Sequence, residues 1–541
     1  MVKECFADIV IMHGNVITVN SSDDLAEAVA ISENKIICVG SNEAVKDYIG
    51  EKTQVIDAAG KTVMPGFIDA HIHFIMYGML GTTTINVDYN HVDSIKDIQN
   101  LIREKAKEKK PGEWIVLSGY DHNKLAERRH PTIEDFDEAA PDNPVQCIRC
   151  CAHMAVYNSA AFKALGGIKP EDYAPGEVVV VADGKLTGLM KETAHMSCSE
   201  KVAFSEADLL AGLKTANEKM LAYGVTTVHD AGSYGAPVMR MFQEAEARKL
   251  IDVRVVPMIF DMFGKESGKQ YIETFLKTGL FTGMGDEHFK LGPIKIMTDG
   301  STSGPSCATR EPYSHDPELK GLQVWQQDET DEMVSRVHRA GFQMTAHAVG
   351  DKAVEMMISA YEKALAECPR DNHRHRIEHC ALTDEKLIER IQKLGIVPIS
   401  NPAFISINGG DYNRFYEERV NYMFPLKSYV EKGIKTAIGS DATVTDPNPM
   451  FSIYGAVTRK DMKKQELCGE NQKVSVEEII RMFTYNGAYV TGEEELKGSL
   501  EVGKLADIIL LSEDILKTDP ENYMDVTVEM TMVDGKIVYT K

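Results

Sequence analysis

The sequence lacks the features that mark membrane-spanning, secreted and nucleic-acid-binding proteins. No run of about 20 apolar residues occurs, so we expect no transmembrane helix. The opening segment MVKECFADIV has no basic stretch followed by an apolar run and a cleavage site, so we expect no secretory signal. Basic residues are few, because 59 Lys and Arg stand against 82 Asp and Glu, a formal charge of −23. This balance argues against nucleic acid or a membrane as a partner, since anionic surfaces bind basic patches.

Paired cysteines, internal repeats and Pro/Ser-rich linkers are also missing. The ten cysteines are scattered without a disulfide pattern, which predicts reduced thiols in a cytoplasmic protein. With 541 residues, of which 43% are hydrophobic, the chain can build a large core without disulfides or a structural metal. Its length allows several domains or one large barrel.

Both ends of the chain carry short β-like runs of apolar and polar residues. These runs are residues 7–19, 35–39, 53–56, 506–511 and 526–539. The last run contains Asp534-Gly535, a dipeptide typical of a tight hairpin turn. We therefore predict that residues 1–62 and 497–541 form one small β-sandwich built from both termini.

The middle of the chain alternates strand-like and helix-like patterns. The strand-like runs are residues 63–68, 225–228, 253–259, 294–297, 342–347, 374–379, 396–400 and 434–439. Helical patterns at 351–367, 384–394 and 426–432 follow three of them. Eight such strands predict an α/β fold of the (β/α)8 (TIM) barrel type over residues 63–496. The interval from about 80 to 205 is too long for one βα unit and predicts an inserted subdomain.

Histidines follow the first of these strands in the motif Pro65-Gly66-Phe67-Ile68-Asp69-Ala70-His71-Ile72-His73. Residues i and i+2 of a strand point to the same side, so His71 and His73 would both face the mouth of a barrel. Imidazole nitrogens suit zinc and similar divalent ions. The alternative is a pair of surface or capping histidines.

Three later strands also end on residues that can ligate a metal. His347 ends one strand, His379 ends the next, and Asp441 follows the last. Active sites of (β/α)8 barrels lie at these strand ends. Four histidines and an aspartate in this order therefore indicate a metal site assembled from different strands.

Lys295 lies inside the apolar strand-like run 294–297, where a charged lysine is costly unless it is paired or modified. Two interpretations follow from this position. Lys295 pairs with a carboxylate such as Asp299 or Asp441, or it reacts with carbon dioxide to give an anionic carbamate that bridges two divalent metals.

These motifs make the chain resemble the amidohydrolase superfamily, in particular its YtcJ-like branch (amidohydrolase family 3). The matching segments are PGFIDAHIHF at 65–74, PIKIMTDGS at 293–301, HAVGDKAV at 347–354, IEH at 377–379, GSDATV at 439–444 and GSLEVGKLADIILL at 498–511. The resemblance implies a barrel beside a β-sandwich, with one or two Zn²⁺ or other divalent ions as cofactor. The metal ligands that it implies are His71, His73, His347, His379 and Asp441. It also implies that Asp441 is the catalytic proton shuttle and that Lys295 is the lysine that bridges two metals.

Departures from the branch concern loops at the barrel mouth. The loop 301–307 lacks an arginine that is usual in the branch, and Asn401-Pro402 replaces a common Gln-Pro pair. His153 is kept within a segment that otherwise differs. We expect His153, His229 and Asn401 to contact substrate. We expect the remaining assigned histidines to be surface residues: His13, His288, His338, His373 and His375.

The function predicted from the sequence is metal-dependent hydrolysis of a C–N bond in a small non-peptide amide or cyclic amide. A metal-activated water would attack, and Asp441 would carry its proton to the leaving nitrogen. Alternatives on the same metal site are a lactonase or other esterase and a deaminase. An alternative of another class is a non-catalytic binding or scaffold barrel. The expected partners are a small-molecule substrate and a second copy of the chain in a homodimer.

Overall fold

The computed structural model describes residues 6–541 except residues 174, 181, 182, 200, 203, 233, 234, 263 and 464. Residues 1–5 lie outside the described residues. They include Cys5 and the first half of the segment in which we expect no secretory signal. No helix in the described part of the chain is both long and apolar enough to cross a membrane. The nine described cysteines are all free thiols.

The N-terminal region is built mainly of short strands. Its elements are β1 Ile9–Met12, β2 Asn15–Ile17, β3 Leu25–Ala26, β4 Ala28–Ser32, β5 Lys35–Gly40, α1 Asn42–Val45, a 3-10 helix at Lys46–Tyr48, β6 Gln54–Asp57 and β7 Thr62–Pro65. Four of these strands form one sheet in the order β5-β4-β1-β6. The other three pair elsewhere, as described below.

In the sequence, an inserted region that forms a mixed sheet separates the first two parallel strands of the middle region. The chain first forms β8 Phe67–Ile72 and α2 Phe74–Met79. It then forms β9 Ile85–Asn86, α3 Ile95–Glu108, β10 Ile115–Tyr120, α4 Ile133–Asp137, β11 Val145–Arg149, β12 Met154–Tyr157, α5 Ser159–Ala164, a 3-10 helix at Pro170–Asp172, β13 Val178–Val180, β14 Leu186–Lys191 and α6 Glu192–Ser199. The strands of this inserted region pair in the order β13-β14-β12-β11-β10-β9.

The long middle region alternates parallel strands and helices. Its elements are α7 Glu206–Ala222, β15 Val225–Asp230, α8 Ala236–Ala247, β16 Arg254–Val255, α9 Lys265–Leu276, β17 Ile294–Met297, α10 Gln327–Arg339, β18 Met344–Ala348, α11 Asp351–Glu367, β19 Arg376–His379, α12 Glu385–Leu394, β20 Val397–Ser400, α13 Ala403–Tyr416, α14 Leu426–Glu431, β21 Ala437–Ile438, α15 Pro449–Thr458, α16 Val476–Phe483 and α17 Tyr485–Val490. Short 3-10 helices lie at Glu417–Tyr422 and Glu470–Gln472. The fold is thus mixed α/β.

Helix α12 illustrates how the local sequence sets these elements. The Asp384 carboxylate caps its start by accepting a hydrogen bond from Leu387 N at 2.8 Å. Leu387, Ile388 and Ile391 repeat at helical spacing and are buried. Gly395 ends the helix with a left-handed φ of 69°.

The eight parallel strands form two hydrogen-bonded sheets, β16-β15-β8 and β17-β18-β19-β20-β21. On one side, Lys295 N donates to Ile259 O at 3.0 Å and so ties β17 to the segment after β16. On the other side, Asp441 N donates to His71 O at 2.7 Å and His73 N donates to Ala442 O at 2.8 Å. The carboxyl ends of β8 and β21 are therefore in contact.

The C-terminal strands join the N-terminal ones. They are β22 Ile508–Leu511, β23 Val528–Val533 and β24 Lys536–Thr540, with a 3-10 helix at Pro520–Asp525 between the first two, and the sheet order is β24-β23-β22-β7-β2-β3. The turn between β23 and β24 is Asp534-Gly535, as the sequence predicted. Ile11 and Ile31 of the first sheet pack in one apolar cluster with Val63 and Ile508 of this second sheet.

The prediction that residues 63–68 form one barrel strand is wrong. The structure divides it, because Met64 of β7 pairs with Ile509 of β22, whereas Ile68 of β8 pairs with Thr227 of β15. Gly66 lies at the crossing point, where a Cβ would come within 2.3 Å of the Thr226 side chain. Only glycine fits there, so the chain passes from one sheet to the other at this residue.

The prediction that His338 and His375 are surface residues is also wrong. Their exposed fractions are 2% and 0%. Nδ1 of His375 accepts from Met344 N at 2.9 Å, and Nε2 of His375 lies 2.9 Å from Nδ1 of His338. Their burial depends on this hydrogen bonding, which a local sequence pattern does not reveal.

Candidate metal centre

His71 and His73 lie at the carboxyl end of β8 and are held by hydrogen bonds to their Nδ1 atoms. Nδ1 of His71 is hydrogen-bonded to the Glu378 carboxylate, and Nδ1 of His73 donates to Gly232 O at 2.7 Å. A proton on Nδ1 leaves the lone pair on Nε2. Both imidazoles therefore have the tautomer in which Nε2 can ligate a metal.

His347 and His379 come from the ends of the neighbouring strands β18 and β19. Nδ1 of His379 donates to Oδ1 of Asn401 at 2.8 Å, which leaves its Nε2 lone pair available. In His347 the opposite nitrogen is bound, because Nε2 donates to Gly300 O at 2.9 Å. The lone pair of this imidazole is therefore on Nδ1. The His379 ring lies 4.6 Å from the His347 ring and 4.8 Å from the His71 ring, measured between centroids.

Asp441 follows β21 and faces the histidines. Its Oδ1 lies 3.4 Å from Nε2 of His71 and 3.6 Å from Nε2 of His73. Asp441 and His379 both have left-handed backbone conformations, with φ of 56° and 68°. Such strain in non-glycine residues is concentrated at functional sites, where the surrounding structure maintains it.

The charges at this site depend on burial and on mutual contacts. Burial lowers the pKa of His73 to about 3, and burial together with the nearby Lys295 and His71 lowers the pKa of His379 to about 4. Burial opposes the ionisation of Asp441, but His71 and His379 outweigh it and hold its pKa well below the usual range. Burial and Lys295 oppose the protonation of His71, but the carboxylates of Glu378 and Asp441 outweigh them and raise its pKa. Without a metal the site therefore presents neutral imidazoles at His73 and His379 and an anionic carboxylate at Asp441, protonation states that bind metals.

Lys295 is 3% exposed and lies at the same cavity. Its Nζ donates to Ala231 O at 3.0 Å and lies 5.0 Å from the Phe260 ring centroid. Burial lowers the pKa of Lys295 to about 8. The alternative in which Lys295 pairs with Asp299 is wrong, because the Asp299 carboxylate instead accepts backbone hydrogen bonds from Ala308, Val349 and Gly350.

These residues line one cavity with an empty volume of about 570 Å³. The predicted residues brought together there are His71, His73, His153, Lys295, His347, His379 and Asp441. The remaining wall is largely apolar and rich in methionine, with Met76, Met196, Met262, Met297 and Phe260. The arrangement combines a polar cluster at the strand ends with an apolar wall, as small-molecule sites generally do.

The donor set fits a divalent metal ion. Ligand atoms of His71, His379 and Asp441 all lie within 4.8 Å of one another. Nε2 of His71 is buried and has no hydrogen-bond partner among the described residues. A buried nitrogen without a partner costs free energy, and a metal ion in front of this lone pair would remove that cost.

His153 reaches the cavity from the inserted region. Its ring lies 5.3 Å from the His347 ring, and its Nδ1 is 2.9 Å from Oε2 of Glu192. Burial alone would lower the pKa of His153, but the Glu192 carboxylate more than compensates and raises it to about 9. The inserted region thus contributes a cationic hydrogen-bond donor to the site.

The other two expected substrate contacts, His229 and Asn401, do not line the cavity. His229 lies 3.3 Å from Arg376 in the buried interior, and its Nε2 has no hydrogen-bond partner in the described structure. Asn401 accepts from His379 and donates to Gly439 O at 2.7 Å, so both ends of its amide are occupied. Asn401 is therefore positioned to orient His379 rather than to bind substrate.

Sequence reasoning missed two carboxylates that support the site. Glu378 holds His71 and is itself bound by Arg376, whose Nε donates to Oε1 at 2.7 Å. Its place directly before the strand-end His379 was the available signal. Glu192 holds His153 from 39 residues away, and no sequence pattern connects the two.

Comparison with known proteins agrees with this geometry. A model of the amidohydrolase family matches residues 54–539. YtcJ of Bacillus subtilis is 28% identical, covering 98% of this chain and 99% of its own. N-substituted formamide deformylase of Arthrobacter pascens is 26% identical, covering 99% of this chain and 98% of its own. An uncharacterised metal-dependent hydrolase from Pyrococcus furiosus is 26% identical with a TM-score of 0.74, covering 94% of this chain and 100% of its own.

The chain belongs to the amidohydrolase family, a family of metal-dependent hydrolases. It is an enzyme that hydrolyses carbon–nitrogen bonds. The resemblance found in the sequence is confirmed.

Proposed function

We propose that this enzyme hydrolyses a small non-peptide amide or cyclic amide with the help of bound zinc or a similar divalent ion. The observation that carries the proposal is the convergence of four histidines and one aspartate in one cavity. The similarity to N-substituted formamide deformylase supports an amide whose nitrogen carries a substituent.

The residues that would hold the metal are His71, His73, His347, His379 and Asp441. The chemistry supplied by such a cation, when bound, is Lewis acidity, which polarises the scissile carbonyl and acidifies water. Glu378 fixes His71 in the required tautomer, and Asn401 does the same for His379.

Asp441 would carry the proton during hydrolysis. Its carboxylate accepts a proton from the attacking water and delivers it to the leaving nitrogen as the C–N bond breaks. An amine leaves poorly unless it is protonated, so this delivery is required for amide cleavage. One water is consumed, and one carboxylic acid and one amine are released.

We also propose that Lys295 is carboxylated and bridges two metal ions. The neutral Nζ attacks carbon dioxide, an N–C bond forms, and one proton leaves to solvent, which gives an anionic carbamate. Two divalent cations bring four positive charges, whereas four neutral histidines and one aspartate supply only one negative charge. The carbamate would add a second negative charge. The support is a buried lysine that forms no ion pair within the described residues.

The test of this bridge is the Lys295→Ala variant assayed with and without a short carboxylic acid. We expect two metals per wild-type chain, loss of activity in the variant and partial rescue by the acid. A fully active variant with one tightly bound metal would contradict the bridge.

We propose that the eight parallel strands close into a (β/α)8 barrel and that the two terminal sheets form a β-sandwich. Hydrogen bonds between Asp441 and His71 and between Lys295 and Ile259 support closure.

The boundaries 1–62, 63–496 with an insertion at about 80–205, and 497–541 stay predictions. The homodimer and the cytoplasmic location also stay predictions, which light scattering and cell fractionation would test.

The test of the function is a substrate panel on the zinc-loaded enzyme. The panel contains N-substituted formamides, cyclic amides, a lactone and a cyclic amidine. We expect release of amine and carboxylic acid from the amides, and loss of this activity in Asp441→Asn. Hydrolysis of the lactone alone would favour the esterase alternative, and ammonia release from the amidine alone would favour the deaminase.

A further inference from the structure

A second cavity adjoins the metal site. Its empty volume, which includes space open to solvent, is about 400 Å³. The two cavities share five lining residues, namely Met196, Phe260, Met262, Lys295 and Met297. These shared residues form the boundary between the two cavities, so a substituent that passes Lys295 from the metal site would enter this side pocket.

The far wall of the side pocket is apolar. Helix α9 contributes Gly268 and Ile272, and Trp325 lies beside them. Ile272 is 1% exposed and Trp325 is 3% exposed, so these side chains are screened from solvent although they border empty space. An apolar group that enters beside this wall would itself be removed from water and would gain van der Waals contacts with these side chains.

The charged groups at the outer end of the side pocket are already paired. Nζ of Lys265 donates to Glu329 at 2.7 Å and lies 5.0 Å from the Trp325 ring centroid. The Asp261 carboxylate accepts from Ser267 Oγ at 2.8 Å. The pocket is therefore suited to an uncharged group rather than to an ion.

Another cavity that shares residues with the metal site has a different lining. It is bordered by Leu80 and Met79, but also by the polar side chains of Ser118, Gln146 and His195. This lining is more polar than that of the side pocket.

We propose that the side pocket between α9 and Trp325 binds an alkyl or aryl group of the amide substrate. The proposal rests on amide hydrolysis at the adjacent metal site and specifies the substrate class: a neutral amide with an apolar substituent. Each methylene that the pocket buries should raise kcat/KM about fourfold, as expected from the transfer free energy of a CH₂ group.

The test narrows the side pocket by replacing Gly268 of α9 with a larger residue. A Cβ on Gly268 would meet Asp261 O at 3.5 Å, which is an ordinary van der Waals contact, and a side chain there also favours the helix. Gly268→Phe should therefore fold and narrow the pocket, and Gly268→Ala is the matched control. Leu80→Phe is the control on the cavity that Leu80 and Met79 border.

Each variant is assayed with two series of amides, N-alkylformamides and N-methyl amides of straight-chain acids, from one to six carbons. The series that rises steeply in wild type identifies which end of the amide enters the pocket. We expect Gly268→Phe to lose at least tenfold in kcat/KM on the six-carbon member, and to stay within twofold on the one-carbon member. Flat profiles in wild type, or a loss in Leu80→Phe instead, would overturn the proposal.

A binding measurement separates this proposal from the proposed function. The sequence has two tryptophans, so Trp114→Phe leaves Trp325 as the single tryptophan, which is excited selectively at a wavelength that tyrosine does not absorb. We expect the six-carbon amides to change Trp325 fluorescence in this background, and Gly268→Phe to abolish the change. This result without any hydrolysis would contradict amide hydrolysis but support the pocket. Hydrolysis without a fluorescence change would contradict the pocket alone.

Discussion

Two buried groups of histidines lie at opposite ends of β19, and they differ in how completely their nitrogens are hydrogen-bonded. At the start of the strand, Met344 N donates to His375, His375 bonds His338, and Nε2 of His338 donates to Cys368 O at 2.7 Å. At the other end, Nδ1 of His71 is bound by Glu378, but its Nε2 has no such partner in the described structure.

The difference shows that burial and histidine content do not by themselves identify a metal site. Both groups are buried, and both contain several imidazoles. The first uses all four ring nitrogens of His338 and His375 within the protein, so its role is to connect α10, β18 and β19. The second keeps one lone pair free and adds the Asp441 carboxylate, so it can bind a cation.

The largest expected effect is on catalysis. Asp441→Asn should lower kcat/KM for the best amide by about 10²–10⁴-fold, because general acid–base catalysis supplies factors of this size. Its melting temperature should change by only a few degrees, because asparagine has nearly the shape of aspartate and leaves no cavity. Steady-state kinetics and calorimetry check both statements. An Asp441→Asn variant that keeps more than a tenth of wild-type activity would rule out the proton shuttle.

The reverse pattern is expected at the other end of β19. His375→Ala should destabilise the protein by about 2–4 kcal/mol, because Met344 N and His338 lose partners and a cavity remains. The metal content per folded chain should not change. Thermal unfolding and metal analysis check this, with the exposed His13→Ala as control. Loss of metal in His375→Ala would show that the two groups are not distinct.

An intermediate effect is expected from the carboxylate behind His71. Glu378→Gln keeps the shape of the side chain but weakens its hold on Nδ1 of His71. Metal affinity should fall by about 10–100-fold, as is typical of residues that orient a ligating histidine. Competition with a chelator measures the affinity, and Glu362→Gln on the exposed face of α11 is the control. Unchanged affinity would mean that His71 does not bind the metal.

The smallest expected effect concerns His153. Its folded-state pKa of about 9 is raised above the ordinary value of 6.5 by Glu192, against the effect of burial. The stabilisation from this pair is therefore complete below about pH 6.5 and is lost as the pH rises through about 9. Glu192→Gln should melt at lower temperature than wild type at pH 6, and this difference should shrink by pH 10. A difference independent of pH would contradict the pairing.

Local sequence predicted the regular elements of the middle region well. Helix α11 and strand β17 have the predicted limits, since each has a clear periodicity and a clear end. The cluster of His71, His347 and Asp441 was also predictable, because the carboxyl ends of parallel strands meet at one edge.

The remaining features depend on contacts between distant segments. The division of β7 from β8 depends on pairing with β22, more than 400 residues later. Asn401 and His229 have the residue types of substrate contacts, but their side chains bind other parts of the protein. Glu192 reaches His153 only through the folding of the inserted region. Such relations depend on tertiary structure and leave no periodic signal in the sequence.

We propose above all that the lone pair on Nε2 of His71 and the Asp441 carboxylate bind a divalent metal ion. The most direct test is anomalous diffraction at the zinc edge from crystals of the zinc-loaded enzyme, compared with His71→Ala. We expect anomalous density between His71 and Asp441 that is lost or greatly reduced in the variant. Zinc bound elsewhere, with equal occupancy in wild type and His71→Ala, would contradict it.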